Sequence, residues 1–80
     1  MKLLVIIPAY NAERFICECI SSILSQNVKN QIVVVDDFSS DKTARLVEKY
    51  PTVHLIKNSK NMGTYYSINV ALKKFSNDSS

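Results

Sequence analysis

The sequence predicts an α/β fold of three layers, α/β/α, on a parallel sheet of about three strands in the order 3-2-1. Three observations carry this reading. Short apolar runs alternate with segments of helical periodicity, giving βαβαβα over 80 residues. The runs at 3–8 and 31–36 are almost continuously apolar, as strands covered on both faces are. Each run stops abruptly in polar, turn-forming residues just before a helical pattern, the layout that right-handed crossovers require.

The first strand, 3–8, is the apolar run from Leu3 to Pro8. Residues 12–26 carry Phe15, Ile16, Cys19, Ile20, Ile23 and Leu24 at the spacings of one helix face, with Asn11 as the expected N-cap. The polar-ended segment Val28-Lys29-Asn30 closes that helix. The second strand, 31–36, is rich in Val and Ile. A second helix is expected over 41–50, with Ser39, Ser40 and Asp41 as alternative N-caps, Ala44, Val47 and Tyr50 inward, and Pro51 as its stop. In the third strand, 52–57, Val53, Leu55 and Lys57 share one face and His54 and Ile56 the other. A polar loop from Asn58 to Gly63 leads to a third helix over 64–75, with Tyr65, Ile68, Leu72 and Phe75 along one stripe. The tail at 77–80 is polar and expected to fray.

Eighty residues suit one small domain, and a 46% hydrophobic content is too high for disorder. No apolar run approaches the roughly 18 residues that a membrane span needs. Met1-Lys2 and the short apolar run after it do not make a signal peptide, because Pro8-Ala9-Tyr10-Asn11 is no cleavage site. The formal charge of +3 is unevenly spread: the first half carries −1 and the second +4, where seven Lys or Arg face Asp41, Glu48 and Asp78. That density is too low for a nucleic-acid binder. It fits solvated helix faces, with attraction to a phosphorylated ligand or an anionic membrane surface as the alternative. Cys17 and Cys19 point to opposite sides of one helix, so they read as reduced thiols of a cytoplasmic protein, Cys19 in the core and Cys17 at its margin. Strand 1 is left with an open far edge, a place for self-association. The chain therefore reads as the front part of a larger doubly wound domain.

In an open parallel sheet, ligands bind in the crevice outside the carboxyl ends of the strands. Strand 1 brings Pro8, Ala9 and Tyr10 there, and strand 2 brings Asp36 and Asp37. Two adjacent carboxylates are not expected both to be buried. They suit either hydrogen bonding to a base or ribose, or capping of the following helix. Tyr10 is placed to stack on a base or to cover the core's end. Gly63, the only glycine, sits before the third helix: it either admits an anion to backbone N–H groups or serves a turn needing positive φ. No GxGxxG or Walker loop is present. His54 stands alone in its strand, which points to packing or surface rather than metal binding.

Three ordered segments match a known pattern. Val5-Ile6-Ile7-Pro8-Ala9-Tyr10-Asn11-Ala12-Glu13, then Val33 to Thr43 with Asp36-Asp37-Phe38-Ser39-Ser40-Asp41, then Asn61-Met62-Gly63 resemble family 2 glycosyltransferases of the GT-A fold. Ser21 to Gln26 is also similar to that family. The resemblance covers residues 3 to about 75. It implies that residues 1–80 are the N-terminal, nucleotide-sugar-binding part of a glycosyltransferase domain, with a UDP-linked donor. It implies that Tyr10 lies against the base, that Asp37 hydrogen-bonds it, that Pro8, Ala9 and Asp36 line the pocket, and that Asn61 to Gly63 lie near the nucleotide. It also implies Mg²⁺ or Mn²⁺ in the full-length enzyme, a glycan acceptor, and a role in bacterial polysaccharide assembly; peripheral membrane association of the parent is left open.

Three departures stand out. Phe38 replaces a commoner glycine. Ile68 precedes Asn69 where an arginine is usual. The family's metal-binding Asp-x-Asp and catalytic base fall beyond Ser80, so these residues alone are not expected to catalyse transfer. The alternative reading is a non-catalytic nucleotide-binding or interaction module. A receiver-like signalling domain is disfavoured, because its acid pair would follow strand 1.

Overall fold

Val, Ile and Leu fill the strands because their branched side chains pack well on a pleated surface covered from both sides. The computed structural model describes residues 3–26 and 29–75; Val28 and the tail at 77–80 lie outside the described residues. β1 (Leu3–Ala9), α1 (Ile16–Leu24), β2 (Asn30–Asp36), α2 (Thr43–Val47), β3 (Val53–Lys57) and α3 (Thr64–Phe75) follow in chain order. The strands form one parallel sheet with β2 in the centre, as expected. Register runs from Leu3 opposite Asn30 to Ala9 opposite Asp36, and from Ile32 opposite Val53 to Asp36 opposite Lys57.

Alternation along the strands divides the core in two. Val5, Ile7, Ile32, Val34, Val53 and Leu55 meet Ile16 and Ile20 of α1 and Val47 of α2 on one face. Leu4, Ile6, Val33, Val35 and Ile56 meet Ala71 and Phe75 of α3 on the other. This is the expected three-layer arrangement, and β2 is its buried axis. β1 pairs only with β2 among the described residues, and Leu3 is exposed at that edge. No described helix is long and apolar enough to cross a membrane.

Several helix details differ from expectation. α1 starts at Ile16 rather than at 12, and Asn11 does not cap it. Asn11 has φ +50, outside the extended region an N-cap needs. Residues 12–15 form a turn instead, in which the Phe15 and Ile16 amides both donate to the Ala12 carbonyl. Cys19 is exposed and Cys17 half-buried, the reverse of the expected order. The core line on α1 is Ile16–Ile20, and Phe15 and Cys19 lie one residue, about 100°, around the helix. α2 is shorter than 41–50: after Val47 the amides of Lys49 and Tyr50 turn to carbonyls three residues back, ahead of Pro51. On α3 the buried pair is Ser67 and Ala71, while Tyr65 and Leu72 are exposed. The two small residues bring the helix close to the sheet.

Each strand-to-helix loop turns through one left-handed residue: Asn11, Phe38 at φ +65 and Gly63 at φ +92. Glycine accepts that conformation without cost and a Cβ on Gly63 would meet nothing within 4 Å, so backbone conformation, not space, calls for glycine there. Phe38 is a bulky residue in the same region, and its ring is exposed. Phe38→Gly is expected to relieve about 1–2 kcal/mol of strain, partly offset by the greater freedom of glycine in the unfolded chain. The expected result is a raised thermal midpoint; an unchanged or lowered one would contradict strain at this turn.

Candidate functional site

The carboxyl ends of β1 and β2 lie side by side. Ala9 stands opposite Asp36 in the register, and the Asp37 amide extends the ladder by donating to the Ala9 carbonyl at 2.8 Å. Pro8, Ala9, Tyr10, Asp36 and Asp37 therefore share one sheet edge. Ala9 is buried, Pro8 is half-buried, and the Tyr10 ring is 53% exposed beside them.

The loops leaving these strands are stitched together by side chains. The Asn11 amide donates to Ser39 Oγ, and Asn11 Oδ1 accepts the Ser40 amide, both at 2.8 Å. The Ala12 amide donates to Thr43 Oγ1 at 2.8 Å. Glu13 and the second loop bond reciprocally: the Glu13 amide donates to Asp41 Oδ2 and Glu13 Oε1 accepts the Lys42 amide. Asp41 also receives the amide and hydroxyl of Thr43 and so holds the entry to α2, but the N-cap position itself is Lys42, not Ser39, Ser40 or Asp41 as expected. Partial burial works to raise the Asp41 carboxyl. The Thr43 hydroxyl and amide and the Glu13 amide outweigh it, so the net position is below the ordinary value. Much of the two polar segments is thus joinery that fixes the crevice.

The two carboxylates have different surroundings, as their adjacency required. Asp36 is 4% exposed; its Oδ2 accepts the Ser39 amide at 3.3 Å, and its buried Oδ1 has no partner. Asp37 is half-buried and pins the third loop. Its Oδ1 accepts the Met62 amide at 2.7 Å and Asn58 Nδ2 at 3.0 Å, and its Oδ2 accepts the Gly63 amide at 3.0 Å. Gly63 is thereby brought to the edge, its amide turned toward a carboxylate, and its exposed neighbour Asn61 lies in the same loop. Asn58 was not singled out by sequence. Its amide donates to the Asp36 carbonyl at 2.8 Å, and its side chain also reaches Ser67 of α3 at 3.0 Å. The only signal for it was a polar residue directly after strand 3. His54 lies beside the Phe75 ring, with centroids 4.9 Å apart, in a packing role.

The Met62 amide, then the Asn58 side chain, hold the Asp37 carboxyl below its ordinary 3.8, with Gly63 adding to them against a smaller effect of burial. A carboxyl depressed in the fold contributes stability above its unfolded pKa and loses it as pH falls through the lower folded value. Hydrogen-exchange protection of the Met62 and Gly63 amides is therefore expected to hold above pH 3.8 and to fail below it. Loss of protection well above that pH would contradict the pinning.

A divalent cation wants several oxygen ligands converging on one point. Among the described residues no three His, Cys, Asp or Glu side chains come together in that way. Three N–H donors already bind the two Asp37 oxygens and no second carboxylate converges with them, so the described residues do not fit a Mg²⁺ or Mn²⁺ centre.

Comparison with known proteins gives consistent results. The sequence model described as glycosyl transferase family 2 matches residues 4–78. An uncharacterized glycosyltransferase of Haemophilus influenzae is 40% identical over 77 residues, covering 90% of this chain and 24% of that protein. The poly(ribitol-phosphate) beta-N-acetylglucosaminyltransferase TarS of Staphylococcus aureus is 45% identical over 53 residues, 62% of this chain and 9% of its own length. Among solved structures, the mannosyltransferase PcManGT from Pyrobaculum calidifontis, in complex with GDP-Man and Mn²⁺, superimposes with a TM-score of 0.79. It is 31% identical, and the match covers 90% of this chain and 24% of that one. The chain thus spans a quarter or less of these relatives' lengths.

Proposed function

The chain belongs to glycosyl transferase family 2, and from that premise we propose that its strand-end crevice binds the nucleotide of a nucleotide-diphosphate sugar, UDP-linked. The observation that carries the reading is the register that sets Ala9 against Asp36. It brings an exposed tyrosine, a buried carboxylate oxygen without a partner and an ionised Asp37 to one edge. Tyr10 stacks on the base; aromatic–base stacking is worth about 1–3 kcal/mol. Asp37 accepts a hydrogen bond from the base, as an ionised carboxylate at neutral pH does. Pro8, Ala9 and Asp36 form the floor, and the loop from Asn61 to Gly63 lies beside the nucleotide.

The parent enzyme transfers the sugar to a polysaccharide or other glycan acceptor, with inversion. An inverting transfer needs a general base at the acceptor hydroxyl and neutralisation of the leaving diphosphate. Asp36 and Asp37 face the nucleoside and serve neither need, so these 80 residues bind without transferring. The test is an amide spectrum recorded during addition of UDP. Shifts concentrated at Tyr10, Asp37, Met62 and Gly63 are expected; shifts confined to the outer faces of α1 and α3 would contradict the site.

A further inference from the structure

We infer that Asn58 is a positioning residue that sets base preference at this crevice, by leaving Asp37 room for a single hydrogen-bond donor. The inference rests on the reading above that Asp37 faces the base. An ionised carboxylate offers about four lone-pair sites on its two oxygens. Oδ1 has both of its sites occupied, by Asn58 Nδ2 at 3.0 Å and the Met62 amide at 2.7 Å. Oδ2 has one occupied, by the Gly63 amide at 3.0 Å. One acceptor site remains, on Oδ2.

That remainder distinguishes bases by their Watson–Crick edges. Uracil presents one N–H between two carbonyls and needs one acceptor. Guanine presents a ring N–H and an exocyclic amine in parallel, and a carboxylate satisfies that pair only with both oxygens free. With Oδ1 saturated, guanine would leave a desolvated N–H without a partner, a loss that sites built on hydrogen bonds discriminate strongly against. Asn58 is the only side chain among the described donors to Asp37. The other two are backbone amides, which truncating a side chain leaves in place. Its own position is fixed twice, by its amide on the Asp36 carbonyl at 2.8 Å and by its side-chain contact of 3.0 Å with the buried Ser67. The hydroxyl of Ser67 thus acts on the base through Asn58 and Asp37, across the sheet edge from α3.

The test is calorimetric titration of UDP and GDP into the wild type, Asn58→Ala and Ser67→Ala, with thermal unfolding as the check on folding. Asn58→Ala keeps the main-chain bond to Asp36, and Ser67→Ala keeps a good helix former in α3. The expected wild type prefers UDP by tenfold or more. Asn58→Ala is expected to cut that ratio at least tenfold by freeing Oδ1, and Ser67→Ala to lower it by less. Equal weakening of both nucleotides would show a merely structural Asn58 and overturn the inference. So would a wild type that binds through Asp37 but prefers GDP or neither; both outcomes leave nucleotide binding intact. Absence of any Asp37-dependent nucleotide binding would overturn the functional reading, and this inference with it.

Discussion

Thr43→Val is expected to pull apart the two loops that build the crevice. Thr43 is fully buried; its Oγ1 accepts the Ala12 amide at 2.8 Å and donates to Asp41 Oδ1. Valine matches its shape and removes only the hydrogen bonds. The Ala12 amide then stays partly buried with no acceptor, which costs about 1–3 kcal/mol, and Asp41 loses a donor that fixed the start of α2. A domain of this size has a total stability of about 4–12 kcal/mol at 0.05–0.15 per residue. The expected result is a clearly lowered denaturation midpoint with an unchanged slope, and weaker UDP binding even where the protein remains folded. Thr43→Ser, which keeps the hydroxyl, should recover most of both. A Thr43→Val midpoint equal to that of the wild type would show that the stitch between the loops is not what positions them.

Ile20→Ala is expected to have the larger effect on stability and to act from beneath the site. Ile20 is fully buried between α1 and the sheet, in contact with the group that includes Ile16, Ile32, Val34 and Val47. Truncation of a buried isoleucine costs about 2–5 kcal/mol, from lost transfer energy and the cavity left behind. In so small a domain that approaches the whole stability. The neighbouring Cys19→Ala is expected to change little, because Cys19 faces outward. Comparable losses from the two substitutions would contradict the placement of the α1 core line on Ile16 and Ile20.

That pair of predictions also shows where the sequence was legible. The strands could be read because β1 and β2 are near-continuous apolar runs and β3 is a short apolar-rich run between Pro51 and a polar loop, so their order and parallel direction followed from βαβ chirality. The meeting of Tyr10 with Asp36 and Asp37 followed from the same rule, since adjacent parallel strands end at the same edge. Helix phase was harder. Phe15 and Cys19 fit an apolar stripe as well as Ile16 and Ile20 do, and only the packing chooses between lines one residue apart. On α3 large residues outcompeted small ones in the reading, whereas Ser67 and Ala71 face the sheet because close approach needs small side chains. Long-range hydrogen bonds were invisible. Asn11 looked like a helix cap, yet it bonds Ser39 and Ser40, 28 and 29 residues away, and no local pattern encodes that. Asn58 was hidden for the same reason: its partners lie on two other elements. The binding roles of Asp37 and its neighbours came from the resemblance to a family; the fold adds the reason why the third loop stays near them.

The most direct test of the central claim is a titration of UDP into the wild type and Asp37→Ala, each with and without Mn²⁺. Binding by the wild type that Asp37→Ala abolishes, and that Mn²⁺ leaves largely unchanged, is the predicted result. Equal binding by the two proteins, or none by the wild type, would contradict a nucleotide site at the ends of β1 and β2.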